Sequence, residues 1–220
     1  KNASYCELTA CYWIWKNDKS SDYIGICHYR RYFQMEGHIL RLEEISDIFE
    51  KNYQIILPRP ILFKKENCME FYIQGGGYKK DLNNLRKVIS RKEPEYLAAF
   101  DAVMNGDSAS YANMLICNKE IYDNYCRWLF DILFELEKIT DISGYTQHER
   151  RVYGYLSELL LNVYCKKNEL RIKYLDIELL TNEKNKKVEV KKRVLQNIKN
   201  IVKHIIWFPS GIKPARRHES

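Results

Sequence analysis

The sequence predicts an α/β domain, and three observations carry that reading. Short apolar runs such as Tyr23-Ile-Gly-Ile-Cys27 and Tyr53-Gln-Ile-Ile-Leu57 suit strands buried in a sheet. Segments with apolar residues at helical spacing lie between them, and alternation of strand with helix is the pattern of α/β architecture. The first run ends in His28-Tyr-Arg-Arg-Tyr-Phe33, and open α/β sheets bind ligands beyond the carboxyl ends of their strands. Two guanidiniums and an imidazole at the end of a buried strand are costly without an anion to meet them. His28, Arg30 and Arg31 are therefore expected to face a phosphate or diphosphate. Arginines also serve structural ion pairs, here with Tyr29, Tyr32 and Phe33 as core filling. Spacing alone leaves both readings open.

In order, residues 2–17 read as one helix, because Leu8, Cys11, Tyr12 and Trp15 recur at helical spacing. Ser4 is the N-cap and Glu7 stands three residues on. Its aromatic side, Tyr5, Tyr12, Trp13 and Trp15, is expected in the core. After a turn at 16–21, residues 23–27 form a buried strand in which Gly25 admits a second backbone. Leu42, Ile45, Ile48 and Phe49 mark an amphipathic helix over 40–52. Residues 53–58 form a second buried strand, stopped by Pro58 and Pro60. The stretch 61–80 is irregular and ends in Gln74-Gly-Gly-Gly-Tyr-Lys-Lys80. Those glycines match neither the Walker nor the dinucleotide spacing and read as a mobile loop.

Residues 81–90 are a helix with Asp81 as N-cap, and 94–104 another with Tyr96, Leu97, Phe100 and Val103 inward. Asn105-Gly-Asp-Ser108 is a turn, and 110–118 a strand. A long helix over 119–138 carries Tyr122, Tyr125, Leu129, Ile132, Leu133 and Leu136 on its core side. The loop 140–146 leads into a helix over 147–164 bearing Glu149, Arg150, Arg151 and Glu158, and 170–180 is the last strand. Residues 184–192 are a charged hinge. Val194, Ile198, Ile201, Ile205 and Phe208 give 190–208 an apolar side opposite lysines. Such a basic helix lies on an anionic membrane or docks on its own domain. Residues 213–220 are a polar tail. The chain thus divides into an α/β domain, 1–182, and a basic hinge, helix and tail, 183–220. Because it opens on a helix, its first βα unit is expected to be missing.

Composition narrows the function. The 220 residues carry a net charge of +7, which favours anionic partners, and much of the excess lies after Lys166. The 17 Tyr and 4 Trp suit a site that meets sugars or bases with ring faces. Seven cysteines, an odd number with no Cys-x-x-Cys, read as buried thiols in a reducing compartment and not as a disulfide frame or zinc site. No run reaches the roughly eighteen apolar residues of a membrane span. Neither a phosphate-loop pattern nor an acidic metal cluster points to a kinase or nuclease.

Several segments resemble one family: Asn2-Ala-Ser-Tyr-Cys-Glu-Leu-Thr9, Tyr12-Trp-Ile-Trp-Lys-Asn17 and Gly25-Ile-Cys-His-Tyr-Arg-Arg-Tyr-Phe33. Later come Tyr96-Leu-Ala-Ala-Phe-Asp-Ala-Val-Met104, Ala112-Asn-Met-Leu-Ile116, Tyr125-Cys-Arg-Trp-Leu-Phe-Asp-Ile-Leu133 and Arg151-Val-Tyr-Gly-Tyr-Leu-Ser-Glu158. They look like the signature of a bacterial family of capsular and exopolysaccharide biosynthesis proteins. That family was long described only as a domain of unknown function, and it is treated as a glycosyltransferase family with galactofuranosyltransferase members. The resemblance implies a GT-A-like, Rossmann-type domain. Its implied activity is transfer of a sugar, with galactofuranose a candidate, from a UDP-sugar to a growing capsular, exopolysaccharide or lipid-linked glycan. The expected location is cytoplasmic, and peripheral to the inner face of the plasma membrane if residues 190–208 lie on it and do not dock on their own domain. Two departures stand out: family members have about forty further residues before the first motif, and Leu159 stands where the family tends to have Arg after the glutamate.

GT-A enzymes usually hold a metal on Asp-x-Asp after a central strand, and this chain has no Asp-x-Asp. His28-Tyr-Arg takes that place, and arginines neutralise a diphosphate directly through bidentate bonds. The implied site is therefore metal-independent, with Mg²⁺ or Mn²⁺ not expected and no cofactor beyond the donor itself. His28, Tyr29, Arg30, Arg31, Asn113, Arg150 and Arg151 are the candidate donor-binding residues. Tyr29, Tyr32 and Trp13 are candidates for stacking on uracil or sugar. Glu149 is the first choice for the base that deprotonates the acceptor hydroxyl, and Asp141 the alternative. Glu158 reads as structural. Two other functions fit parts of the sequence. Basic charge with interleaved aromatics suits a module that binds single-stranded nucleic acid, though the knot is short and the remaining lysines gather at the C-terminal helix, so no nucleic-acid partner is expected. The absent Asp-x-Asp suits a non-catalytic, membrane-associated scaffold of polysaccharide assembly.

Overall fold

The computed structural model describes residues 2–180. The hinge, amphipathic helix and tail expected over 183–220 lie outside the described residues. Strand β4 (Ile55–Pro58) is the axis of the sheet, with all four residues buried, as a continuous apolar run covered on both faces requires. It runs parallel to β8 (Ile172–Leu179) and antiparallel to β7 (Leu115–Asn118), with Ile55 opposite Ile172 on one side and Cys117 on the other. Beyond β7 lies β1 (Tyr23–Ile26); beyond β8 lie β2 (Arg31–Met35) and β3 (His38–Ile39). The sheet order is β1-β7-β4-β8-β2-β3. A separate pair joins β5 (Ile61–Leu62) to β6 (Ser108–Ala109). The fold is mixed α/β, and among the described strands only β4 and β8 are parallel.

The helices follow their apolar spacing. Helices α1 (Asn2–Tyr5) and α2 (Leu8–Asn17) precede the sheet, and α3 (Leu42–Glu50) packs Phe49 on Tyr23, with ring centroids 4.9 Å apart. Helix α4 (Cys68–Gln74) leads into α5 (Lys79–Lys92), and α6 (Leu97–Met104) follows a short 3-10 turn. Helix α7 (Lys119–Ile139) starts where the Asn118 side chain accepts the Ile121 N–H at 2.8 Å, an N-cap that satisfies one of the helix's unpaired donors. It buries Tyr122, Leu129, Leu133 and Leu136, as its periodicity predicts. Helix α8 (Val152–Lys167) is buried almost all round, with Leu156, Leu159 and Leu160 fully enclosed.

The structure corrects the sequence reading in several places. The segment 2–17 is broken at Cys6, whose φ of 51° belongs to the left-handed region, so Ser4 lies inside α1 and not at the N-cap of one helix over 2–17. Of its aromatic side Tyr5 is buried, but Trp13 is 64% exposed. Strand β1 is an edge strand with one neighbour, so only Ile24 and Ile26 are buried while Tyr23 and Cys27 are exposed. A Cβ added at Gly25 would meet Ile116 Cγ1 at an ordinary 3.6 Å, so no close backbone approach requires that glycine. The expected mobile glycine loop is instead a helix stop. Gly76 has φ 99°, its N–H bonds the Ile73 carbonyl, and the Gly77 N–H bonds the Tyr72 carbonyl, which is the Schellman pattern closing α4. Asp81 does not cap α5. It is the third residue of the helix, buried, and accepts the Tyr145 hydroxyl at 2.8 and 3.0 Å. Five of the seven free cysteines are buried; Cys6 is half-buried and Cys27 exposed.

Candidate active site

The His-Tyr-Arg-Arg segment is a tight turn between β1 and β2. The Arg31 N–H donates to the His28 carbonyl at 3.0 Å, and Arg30 takes φ 61°. This geometry splits the expected trio. Arg30 is exposed, with its guanidinium over the Tyr29 ring at 4.9 Å, and Tyr29 itself is 83% exposed. His28 and Arg31 point the other way, into a cluster built with Glu7, Asn113, Arg151 and Glu158.

The turn before β7 organises that cluster. Ala112 and Asn113 have φ 85° and 47°, conformations that cost non-glycine residues roughly 1–3 kcal/mol each. They also explain why the strand expected over 110–118 begins only at Leu115. In return, the Ala112 backbone hydrogen-bonds both His28 and Glu158. The Asn113 side chain is buried, and its Nδ2 reaches Glu7 Oε1 at 2.7 Å, Ser157 Oγ at 2.8 Å and the Gly154 carbonyl at 3.1 Å. Gly154 allows the break at Cys6 to close on α8: a Cβ there would lie 3.2 Å from Cys6 Sγ and 3.4 Å from Cys6 Cβ. Cys6 Sγ in turn accepts the Arg151 Nε–H at 3.1 Å, and the Arg151 guanidinium lies over the Tyr155 ring at 5.2 Å.

Charge in the cluster is poorly compensated. Glu158 is buried in an apolar helix, and desolvation first, then the neighbouring Glu7 carboxylate, push it up to about 8 against the pull of Arg151 and Arg31. Burial lowers the His28 imidazole, and Arg31 and Arg151 add to that while Glu7 opposes it. Its Nε2 is buried without a hydrogen-bond partner among the described residues, 3.9 Å from Glu7 Oε1. Burial also lowers Arg31, with Glu158 and Glu7 acting against it. The half-buried Arg31 guanidinium makes no hydrogen bond or ion pair among the described residues. A site with two arginines and an imidazole nitrogen that donates once an arriving anion draws a proton onto it, beside a carboxyl that stays neutral near pH 7, is suited to receive an anion.

The other candidates from the sequence lie on the approach to α8. Asp141 is exposed and accepts the Ser143 N–H at 2.9 Å. Arg150 donates to the Tyr145 and Ser143 carbonyls at 3.0 and 3.2 Å. Glu149 accepts the Tyr78 hydroxyl at 2.8 Å and the Thr146 N–H at 2.9 Å. These three side chains tie down the loop after α7. Tyr32 is partly exposed on β2. Glu7, Cys6 and Ser157 were not legible as site residues, and Glu158 was read as structural. For Glu158 a signal was present: one carboxylate in the run Leu156-Ser-Glu-Leu-Leu-Leu161 falls where burial is otherwise complete.

The chain belongs to the family described as a domain of unknown function, DUF4422, which matches residues 1–169. It is similar to the apo structure of WbbM, a bifunctional glycosyltransferase, at 29% sequence identity and a TM-score of 0.70. The match covers 82% of this chain and 37% of that one, so the chain spans little more than a third of WbbM's length. No curated protein matches it.

Proposed function

We propose that the chain is a glycosyltransferase domain that takes its sugar from a nucleotide-diphosphate donor, with the diphosphate held by Arg31, Arg151 and His28. The observation that carries this is the half-buried Arg31 guanidinium beside His28 Nε2, both without a hydrogen-bond partner among the described residues. Desolvating a cation without a partner is costly, and a bidentate bond to a phosphate repays that cost. The likeness to a bifunctional glycosyltransferase supports the reading. Cationic neutralisation of the leaving diphosphate makes the site metal-independent. Uracil suits the donor base, and the exposed Tyr29 ring with the Arg30 guanidinium over it offers a face for stacking. Galactofuranose as the sugar, and a capsular, exopolysaccharide or lipid-linked glycan as acceptor, complete the reading. No described helix is long and apolar enough to cross a membrane. A cytoplasmic enzyme resting on the inner membrane face would use residues 190–208, outside the described residues.

The test is calorimetric titration of UDP, with EDTA present, into the wild-type chain and Arg31→Ala. Hydrogen bonds to charged groups contribute about 1.5–3 kcal/mol, so the expected loss in Arg31→Ala is roughly 10- to 100-fold in Kd. Equal affinity in the two proteins, or binding by wild type only when Mn²⁺ is added, would refute the assignment.

A further inference from the structure

We propose that Glu7 is the general base of the transfer and that Asn113 is its positioning residue. This rests on the reading of the cluster as a sugar-nucleotide site. Glu7 stands in the break between α1 and α2, where the left-handed Cys6 turns the chain. Its side chain is 22% exposed. Oε1 is anchored by Asn113 at 2.7 Å and faces His28 Nε2 at 3.9 Å, while Oε2 has no hydrogen-bond partner among the described residues. Asn113 is itself fixed by its bonds to Gly154 and Ser157 and by its unusual backbone. A strained turn that places one amide against one carboxylate is the kind of over-determined geometry found where orientation matters.

The other carboxylates are less suited. Glu158 is buried and held neutral around pH 7, so it has no room for an incoming proton. Glu149 has both oxygens bonded, to Tyr78 and Thr146. Asp141 is committed to the Ser143 turn. Glu7 combines exposure, an oxygen without a partner and adjacency to the cations assigned to the diphosphate. In the transfer, the acceptor hydroxyl oxygen bonds to the anomeric carbon as the bond from that carbon to the β-phosphate oxygen breaks. The electron pair leaves with the diphosphate, against Arg31 and Arg151, and the hydroxyl proton passes to Glu7 Oε2. The products are the glycoside and the nucleoside diphosphate.

The charged and titratable groups acting on or facing Glu7 come from every side: Cys6 from the break itself, Cys11 from α2, His28 from the turn after β1, Arg31 from β2, Arg151 from the turn before α8, and Tyr155 and Glu158 from α8.

The experiment measures UDP release from UDP-galactofuranose, with octyl glycosides as acceptors, by wild type, Glu7→Gln and Glu7→Asp between pH 5 and 9. Glu7→Gln keeps the shape and the oxygen that Asn113 bonds. A lost general base is worth about 10²- to 10⁴-fold. The expected result is a kcat lower by at least 100-fold in Glu7→Gln, a Kd for UDP no weaker than that of wild type, and loss of the acid limb of the kcat profile. Glu7→Asp, which keeps the charge one methylene back, is expected to retain the acid limb at reduced kcat. An active wild type with Glu7→Gln within threefold of its kcat and an unchanged pH profile would overturn the base assignment alone. If Glu7→Gln fails to fold, a Glu7→Asp profile without the acid limb would overturn it equally. A wild type that binds no UDP and releases none would overturn the sugar-nucleotide reading and this inference with it.

Discussion

Replacing Glu158 with Gln tests whether a neutral carboxyl sits beneath the cations. The folded protein carries this group at about 8 instead of its ordinary 4.5, first because burial strips its solvation and next because Glu7 is near. Between those values the native state keeps a proton that the unfolded chain has released. Stability must therefore fall as pH rises through that window and level off above about 8. Each pH unit of displacement carries about 1.4 kcal/mol, so at pH 7 the wild type forgoes on the order of 3 kcal/mol. Gln is neutral at every pH and can still accept the Ala112 amide. Glu158→Gln should match wild type near pH 5 and exceed it by several degrees in Tm at pH 7–8, given about 2–4 °C per kcal/mol for a domain this size. Thermal melts across pH 5–8.5, followed by circular dichroism, measure the divergence. Ionisation of Glu158 also adds a negative charge beside Arg31 and Arg151, so wild-type affinity for UDP should decline above pH 8 while that of Glu158→Gln should not. Parallel Tm profiles for the two proteins would refute the buried neutral carboxyl and the argument built on it.

Two further outcomes follow from the packing around the site. Gly154→Ala would press a methyl against Cys6 and is expected to cost about 1–3 kcal/mol; a urea midpoint equal to wild type would show that the α1–α2 break is not pinned there. Asn118→Ala removes the cap of α7 and should cost about 1 kcal/mol, read as a Tm lower by a few degrees with UDP affinity unchanged, since the Asn118 side chain bonds the Ile121 N–H at the start of α7.

The long helices were legible because a 3.6-residue period survives any tertiary context, as α5, α7 and α8 show. Strand β4 was legible for a similar reason, its apolar run matching its burial on both faces. The sheet's edges were not. β1 reads like a central strand because its exposed Tyr23 is apolar too, and β2 was hidden because Arg31-Tyr-Phe-Gln-Met35 looks like a binding knot. The His-Tyr-Arg-Arg turn drew attention to the right place, but spacing could not tell that the left-handed Arg30 turns outward while Arg31 turns inward. Glu7 and Glu158 stand 151 positions apart in the sequence. Their meeting depends on Ala112 and Asn113 adopting conformations that no side-chain pattern announces.

The most direct measurement is a crystal structure of the full chain with UDP bound. The central claim requires diphosphate oxygens within about 3 Å of the Arg31 guanidinium and of His28 Nε2. Diphosphate bound elsewhere, with Arg31 still unpartnered, would contradict it.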